Sequence, residues 1–241
     1  MKDGRPSRLS DIRYFGLNKS RERLELMLRV YGRRLAWWLN GEDLSIGASP
    51  VLDLHFARLT QDRTPEQLVD GPLWWAKRYD LAGHDLSPDD QAAMVQLRQR
   101  TVWALQRIVP DAADLVLEAD RIVAEEGGFI RFLVRSKRFK HATLDVATTI
   151  SDIPQDDVLV ASLREDAGGE RVELPPFATG IYAEAPIEAR GVRMSDITIT
   201  RMPNGDIGAA WKAESGLPPP TVAGRDIGRE RPVYSKLVRL R

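Results

Sequence analysis

The residues able to act as metal ligands or as general acids and bases are few and scattered. The three histidines, His55, His84 and His141, lie far apart, so no single element brings two imidazoles together. The tripeptide Asp53-Leu54-His55 places a carboxylate and an imidazole on one face of a strand, as a metal-binding pair requires. A lone pair of this kind is common by chance, and we therefore predict no metal site.

The acidic residues and the glycines give no catalytic pattern. Adjacent acids occur at helix starts or turns, where capping and solvation explain them, at Asp89-Asp90, Glu125-Glu126 and Asp156-Asp157. The chain has no glycine-rich phosphate loop, no Gly-x-Ser-x-Gly elbow and no cysteine. We predict no catalytic residue and no cofactor, and these absences favour a non-enzymatic role.

Charge is balanced over the whole chain, with 35 basic and 35 acidic residues, but three segments are basic. Residues 1–34 have ten Lys and Arg against four Asp and Glu, residues 131–141 have five against none, and residues 225–241 have six against two. Basic side chains bind phosphates, and neighbouring aromatic rings stack on bases. An RNA or single-strand groove would use Arg21, Arg23, Arg33, Arg34, Arg131, Arg135, Lys137, Arg138 and Lys140. The alternative is an ordinary solvated surface.

Two tryptophan pairs, Trp37-Trp38 and Trp74-Trp75, are the other unusual feature. Consecutive residues on a helix diverge by roughly 100°, so one ring of each pair is able to point outward while its neighbour is buried. An outward tryptophan is costly on a monomer and favourable at an interface. We therefore predict these four residues as a protein interface, with burial of both rings of each pair as the alternative.

The spacing of apolar residues changes near residue 127, from three and four before it to two after it. Helix starts are predicted at Ser20, Thr64, Ser87 and Asp111. The fold class is therefore α+β, with four to five N-terminal helices followed by a mostly antiparallel β-sheet. The predicted parts are an extended basic arm at 1–18, a helical domain at 19–126, an antiparallel β domain at 127–215, and a Pro-rich linker with a C-terminal strand and basic tail at 216–241.

Two local predictions within the β part are specific. The segment Asp196 to Trp211 is a hairpin, because alternating residues flank the turn Pro203-Asn204-Gly205-Asp206. The basic residues Ser136-Lys137-Arg138 are predicted to form a second turn between two strands.

The function that these patterns favour is a non-enzymatic interaction or assembly subunit of a bacterial or phage multi-protein complex. It would bind a protein partner or associate with itself. The alternative is a component that binds RNA or single-stranded nucleic acid. No run of about twenty apolar residues is present, so we predict no membrane partner and a cytoplasmic location.

Overall fold

A computed structural model describes residues 6–17, 21–56, 66–71, 73, 75–81, 86–139, 142–152, 158–165, 171–174, 177–178, 197–201, 207–211 and 237–239. The chain divides into two compact units, Met1–Gly127 and Gly128–Leu240. Within the described residues there are three α-helices, all in the first unit, and β-strands in both units. None of the described helices is long and apolar enough to cross a bilayer.

The first unit combines its three helices with a four-stranded sheet of order β1-β2-β4-β3. Strands β1, β2 and β4 run parallel, and β3 is antiparallel to β4. The elements are β1 (Asp11–Phe15), α1 (Glu22–Gly41), β2 (Val51–His55), β3 (Leu68–Asp70), β4 (Ala76–Asp80), α2 (Asp90–Ile108), a 3₁₀ turn (Pro110–Ala112) and α3 (Ala113–Glu126). A second 3₁₀ turn (Gly127–Phe129) begins at the last residue of this unit.

One face of this sheet is apolar and packs against helices. Helix α1 approaches β1 at Gly32, where an added Cβ would lie 2.6 Å from Cε2 of Tyr14 and 2.7 Å from the carbonyl oxygen of Ile12. Thr101 of α2 also reaches Tyr14, with 3.4 Å between the two hydroxyl oxygens. Strand alternation therefore turns Ile12 and Tyr14 of β1 toward the helices, together with their partners Leu52 and Leu54 of β2. The intervening residues lie on the other face of the sheet.

The prediction of four to five helices is wrong, because the described residues form three. Glu66 has a φ of 61°, which a helix does not allow, and the next residues form β3 instead of the helix predicted from Thr64. A capping pattern stabilises a helix by only about 1 kcal/mol, and here pairing with β4 overrides it. The predicted helical domain thus contains a mostly parallel sheet, and β1 of that sheet lies in the segment predicted as an extended arm.

The second unit contains a six-stranded sheet in which β12-β5-β6-β7-β8 are neighbours and β9 also pairs with β7. The pairs between its described strands are antiparallel, except that β12 is parallel to β5. A separate antiparallel pair, β10 with β11, confirms the predicted hairpin. The strands are β5 (Arg131–Arg138), β6 (Ala142–Thr148), β7 (Val158–Glu165), β8 (Arg171–Glu173), β9 (Phe177–Ala178), β10 (Ile197–Arg201), β11 (Ile207–Trp211) and β12 (Leu237–Arg239).

The turn between β5 and β6 lies later than predicted. Ser136, Lys137 and Arg138 belong to β5, and the N–H of Phe139 donates to the carbonyl of Ala142 at 2.7 Å. The pairing register between β5 and β6 shifts between Leu133 and Arg135, so that the later residues of β5 are displaced by one position relative to β6.

The six-stranded sheet is strongly curled. Arg131 of β5 forms an ion pair with Glu173 of β8, three strands away. In a flat sheet their Cα atoms would be separated by three strand spacings and by an offset of about four residues along β7. The total distance would be roughly 20 Å, too far for the two side chains to meet. One face of the sheet forms an apolar core of Ala142, Leu144, Val146, Leu159, Ala161, Leu163 and Leu174.

Candidate functional site

The face of the first sheet opposite the apolar face collects charged and aromatic residues in two rows. The pairing register aligns Arg13 of β1, Asp53 of β2 and Arg78 of β4, and Val69 of β3 continues this row. The next row is Phe15, His55 and Asp80, which end the three parallel strands. We call this surface the polar face, defined by Asp11, Arg13, Phe15, Asp53, His55, Val69, Trp75, Arg78 and Asp80. Ligand sites of parallel sheets are typically at the carboxyl ends of the strands, where the second row lies.

Two ion pairs form the floor of the polar face. Arg13 donates from Nε to Oδ1 of Asp53 and from Nη2 to Oδ2, both at 2.8 Å. Arg78 donates to Oδ1 of Asp80 from Nε at 3.0 Å and from Nη2 at 2.6 Å. Both carboxylates are buried, Asp53 at 2% and Asp80 at 6% exposure, whereas the arginine side chains stay partly in solvent.

Aromatic rings sit beside these guanidinium groups. The Cζ of Arg13 lies 4.6 Å from the ring centroid of Trp75 and 5.6 Å from that of Phe15. Phe15 in turn stacks on His55, with 4.8 Å between centroids and 18° between planes. A stack of contacts thus runs from Trp75 through Arg13 and Phe15 to His55, and it restricts the Arg13 side chain.

Among the described residues, the polar face and its neighbour on α1 contain three arginines and three aspartates. Arg13, Arg33 and Arg78 oppose Asp11, Asp53 and Asp80, and Arg33 reaches Asp11 at 3.2 Å. Burial raises the pKa of Asp11 above its usual 3.8, and the nearby positive charges of Arg33 and Arg13 only partly oppose this.

The chemistry of this face is recognition of charged and planar groups. Asp53 and His55 do lie on one strand face, as their spacing predicts, with Asp80 beside His55 in register. Even so, the described residues contain no group of three His, Cys, Asp or Glu that would hold a metal ion. The guanidinium groups offer donors for carboxylates or phosphates, and the rings offer stacking surfaces.

The four arginines of the first unit that were predicted to bind nucleic acid occupy different environments. Arg21 ties the start of α1 to the start of α2, donating to the carboxylate of Asp90 at 2.6 Å and to the carbonyl of Ser87 at 2.8 Å. Arg23 is exposed, and both it and Arg21 line a cavity of about 670 Å³ between these helix starts. Of the other two arginines, Arg33 pairs with Asp11, and Arg34 is buried at 5% exposure.

The basic residues of the second unit are likewise partly buried and partly exposed. Arg131 is buried and paired with Glu173. Lys137 and Arg138 are exposed and Arg135 is half-buried, so the end of β5 presents positive charge to solvent. Lys140 lies outside the described residues.

Of the tryptophans predicted at an interface, Trp37 and Trp38 are buried at 5% and 1% exposure in the core of the first unit. Trp75 is half-buried on the polar face, and Trp74 lies outside the described residues. Trp103, which no sequence pattern marked as an interface residue, is exposed at 36% on α2.

Sequence reasoning also missed Arg13, Phe15, Val69, Arg78 and Asp80. A signal for two of them was present, because Arg13 and Phe15 alternate with the apolar Ile12 and Tyr14, as in a half-buried strand. The pairing of Arg13 with a residue forty positions later has no signature in a single sequence.

Comparisons with protein-family models, with curated proteins and with solved structures find no match for this chain. The geometry of the polar face is therefore the observation from which a function is inferred.

Proposed function

We propose that this protein is a non-enzymatic interaction subunit of a multi-protein assembly, which binds its partner through the polar face. The observation that supports the proposal is the exposure of Phe15, at 39%, and Val69, at 42%, on the same face as the arginines. Aromatic and arginine side chains dominate the energetics of protein interfaces, and exposed apolar residues among polar ones mark such surfaces.

The ion pairs beneath these residues favour the same reading. Asp53 and Asp80 hold the guanidinium groups in place before any partner arrives. A side chain that is already ordered loses less entropy on binding, so the polar face is preorganised for contact. The stack from Trp75 to His55 restricts Arg13 further.

Site-specific photo-cross-linking in the native cells tests this proposal. A photoreactive phenylalanine analogue is placed at position 15 or 69 of the full chain, and at position 95 as a control. Val95 is exposed at 51% on α2 and has no part in the polar face. We expect a discrete protein adduct from positions 15 and 69, identified by mass spectrometry, and none from position 95. Adducts of equal yield from all three positions, or none from 15 and 69, would refute the proposal.

The second candidate is binding of RNA or single-stranded nucleic acid by the second unit. The exposed Lys137 and Arg138 beside Phe139 favour it, with Nζ of Lys137 lying 5.3 Å from that ring. Titration with an RNA oligonucleotide at several salt concentrations tests it, because each phosphate contact contributes about 0.7 to the logarithmic salt slope of single strands. Replacing Lys137 and Arg138 by Ala should weaken binding and reduce the slope. Unchanged binding by this variant would exclude the candidate.

A further inference from the structure

The charges of the polar face are layered, with carboxylates below and guanidinium groups above. The side chain of Arg13 is 29% exposed where that of Asp53 is 3%, and the side chain of Arg78 is 16% exposed where that of Asp80 is 8%. A partner approaching this face therefore meets positive charge first, although the pairs beneath are neutral overall.

Both arginines keep donors for a partner. Each uses Nε and Nη2 to bind its own aspartate. The hydrogen bonds that Arg13 and Arg78 make within the described residues come from Nε and Nη2, and none comes from Nη1. A guanidinium presents five N–H groups, so the edge that contains Nη1 remains able to receive a second carboxylate.

The two guanidinium groups belong to strands separated by β2, so their backbones are about 10 Å apart. Phe15 and Val69 flank them with exposed apolar surface. The partner surface that complements this arrangement has carboxylates for the guanidinium groups and an aromatic or other apolar side chain for the flanking residues.

We infer that the partner presents an acidic polypeptide segment with an aromatic side chain, which the polar face binds through Arg13, Arg78, Phe15 and Val69. This inference rests on the proposed function, and it names the chemistry of the partner at the same surface. Nucleic acid fits less well, because a long polyanion would also face Asp11, Asp53 and Asp80, whereas a segment with a few carboxylates contacts only the outward guanidinium groups.

The test uses the full-length protein and fluorescent synthetic peptides measured by anisotropy. The probes are a short peptide of Glu, Gly and one Tyr, its Gln isostere, its Ala-for-Tyr form and a single-stranded RNA oligonucleotide. We expect the Glu peptide to bind at least about tenfold more tightly than the Gln isostere and the Ala form. Phe15→Ala and Val69→Ala, both at exposed positions, should weaken binding of the Glu peptide by a similar factor, whereas Val95→Ala should not.

Equal affinity for the Glu and Gln peptides, tighter binding of the RNA, indifference to Phe15→Ala, or no binding of any probe would each overturn the inference. Protein adducts from positions 15 and 69 together with any of these results would leave the polar face as an interface of different chemistry. Failure of the cross-links would remove the proposed function itself. The two failures are therefore distinguishable.

Discussion

Replacing either member of the Arg13–Asp53 ion pair should destabilise the protein by unequal amounts. The pair is asymmetric, because the Arg13 side chain is 29% exposed and the Asp53 side chain is 3% exposed. Arg13→Ala leaves a carboxylate in the interior that has lost both its 2.8 Å hydrogen bonds to Arg13. Asp53→Ala instead leaves a guanidinium that is able to turn toward water.

The expected costs follow from what remains after each change. An uncompensated buried charge costs about 3–5 kcal/mol, and we expect Arg13→Ala to fall in this range. Loss of hydrogen bonds to a charged group costs about 1.5–3 kcal/mol when the remaining partner is solvated, and we expect this for Asp53→Ala. Arg13→Ala should therefore be the more destabilising substitution by about 1–2 kcal/mol.

Urea unfolding followed by tryptophan fluorescence measures both variants, because five of the six tryptophans precede residue 128 and report on the first unit. Arg121→Ala is the control, since Arg121 pairs with Glu118 and Glu125 on the exposed surface of α3, and it should leave the unfolding curve unchanged. An Asp53→Ala variant as unstable as Arg13→Ala, or less stable, would refute the reasoning about residual charge.

Three further substitutions probe the first unit. Gly32→Ala should lower the free energy of unfolding by about 1–2 kcal/mol, because the added methyl overlaps Tyr14 and the backbone of β1. The cost of this overlap exceeds the gain in helix propensity, and a variant more stable in urea would contradict this. Asp89→Ala should cost about 1 kcal/mol, because the Asp89 carboxylate accepts from the N–H of Ala92 at 2.8 Å and caps α2; unchanged urea unfolding would count against it. Asp11→Asn should gain stability relative to the native protein as pH rises above about 3.8, because a raised pKa means that ionised Asp11 is unfavourable in the folded state. A pKa of Asp11 below 3.8, measured by carboxyl NMR, would reverse this expected trend with pH.

Helices α2 and α3 were predictable because their signals are local. The predicted start of α2 at Ser87 lies two residues before the observed cap, Asp89, and Pro110 follows the end of the helix. Strands β3 and β4 were not, because they have three and five residues and depend on pairing with each other and with β2. A short strand has little preference of its own, and neighbours that are distant in sequence decide its conformation.

The polar face was hidden for a related reason. Alternation within β1 reveals which residues share a face, but not which strand lies beside it. Arg13 meets Asp53 only because β1 and β2 pair in one particular register, and a shift of one residue would place Leu52 or Leu54 opposite Arg13. Trp37 and Trp38 follow the alternative that the sequence left open, because the second half of α1 is buried on most of its circumference and consecutive residues are both covered.

Replacing the Arg13–Asp53 ion pair as a whole distinguishes a role in stability from a role in binding. A buried salt bridge is rarely the most stable solution, and apolar residues of similar size often match or exceed it. The double variant Arg13→Met with Asp53→Leu should therefore unfold at a urea concentration close to that of the native protein. If the polar face binds a partner, the same variant should lose the protein adduct formed by a photoreactive residue at position 15, because it lacks the guanidinium fixed beside Phe15. Retention of that adduct by a stable double variant would mean that the pair serves the fold alone.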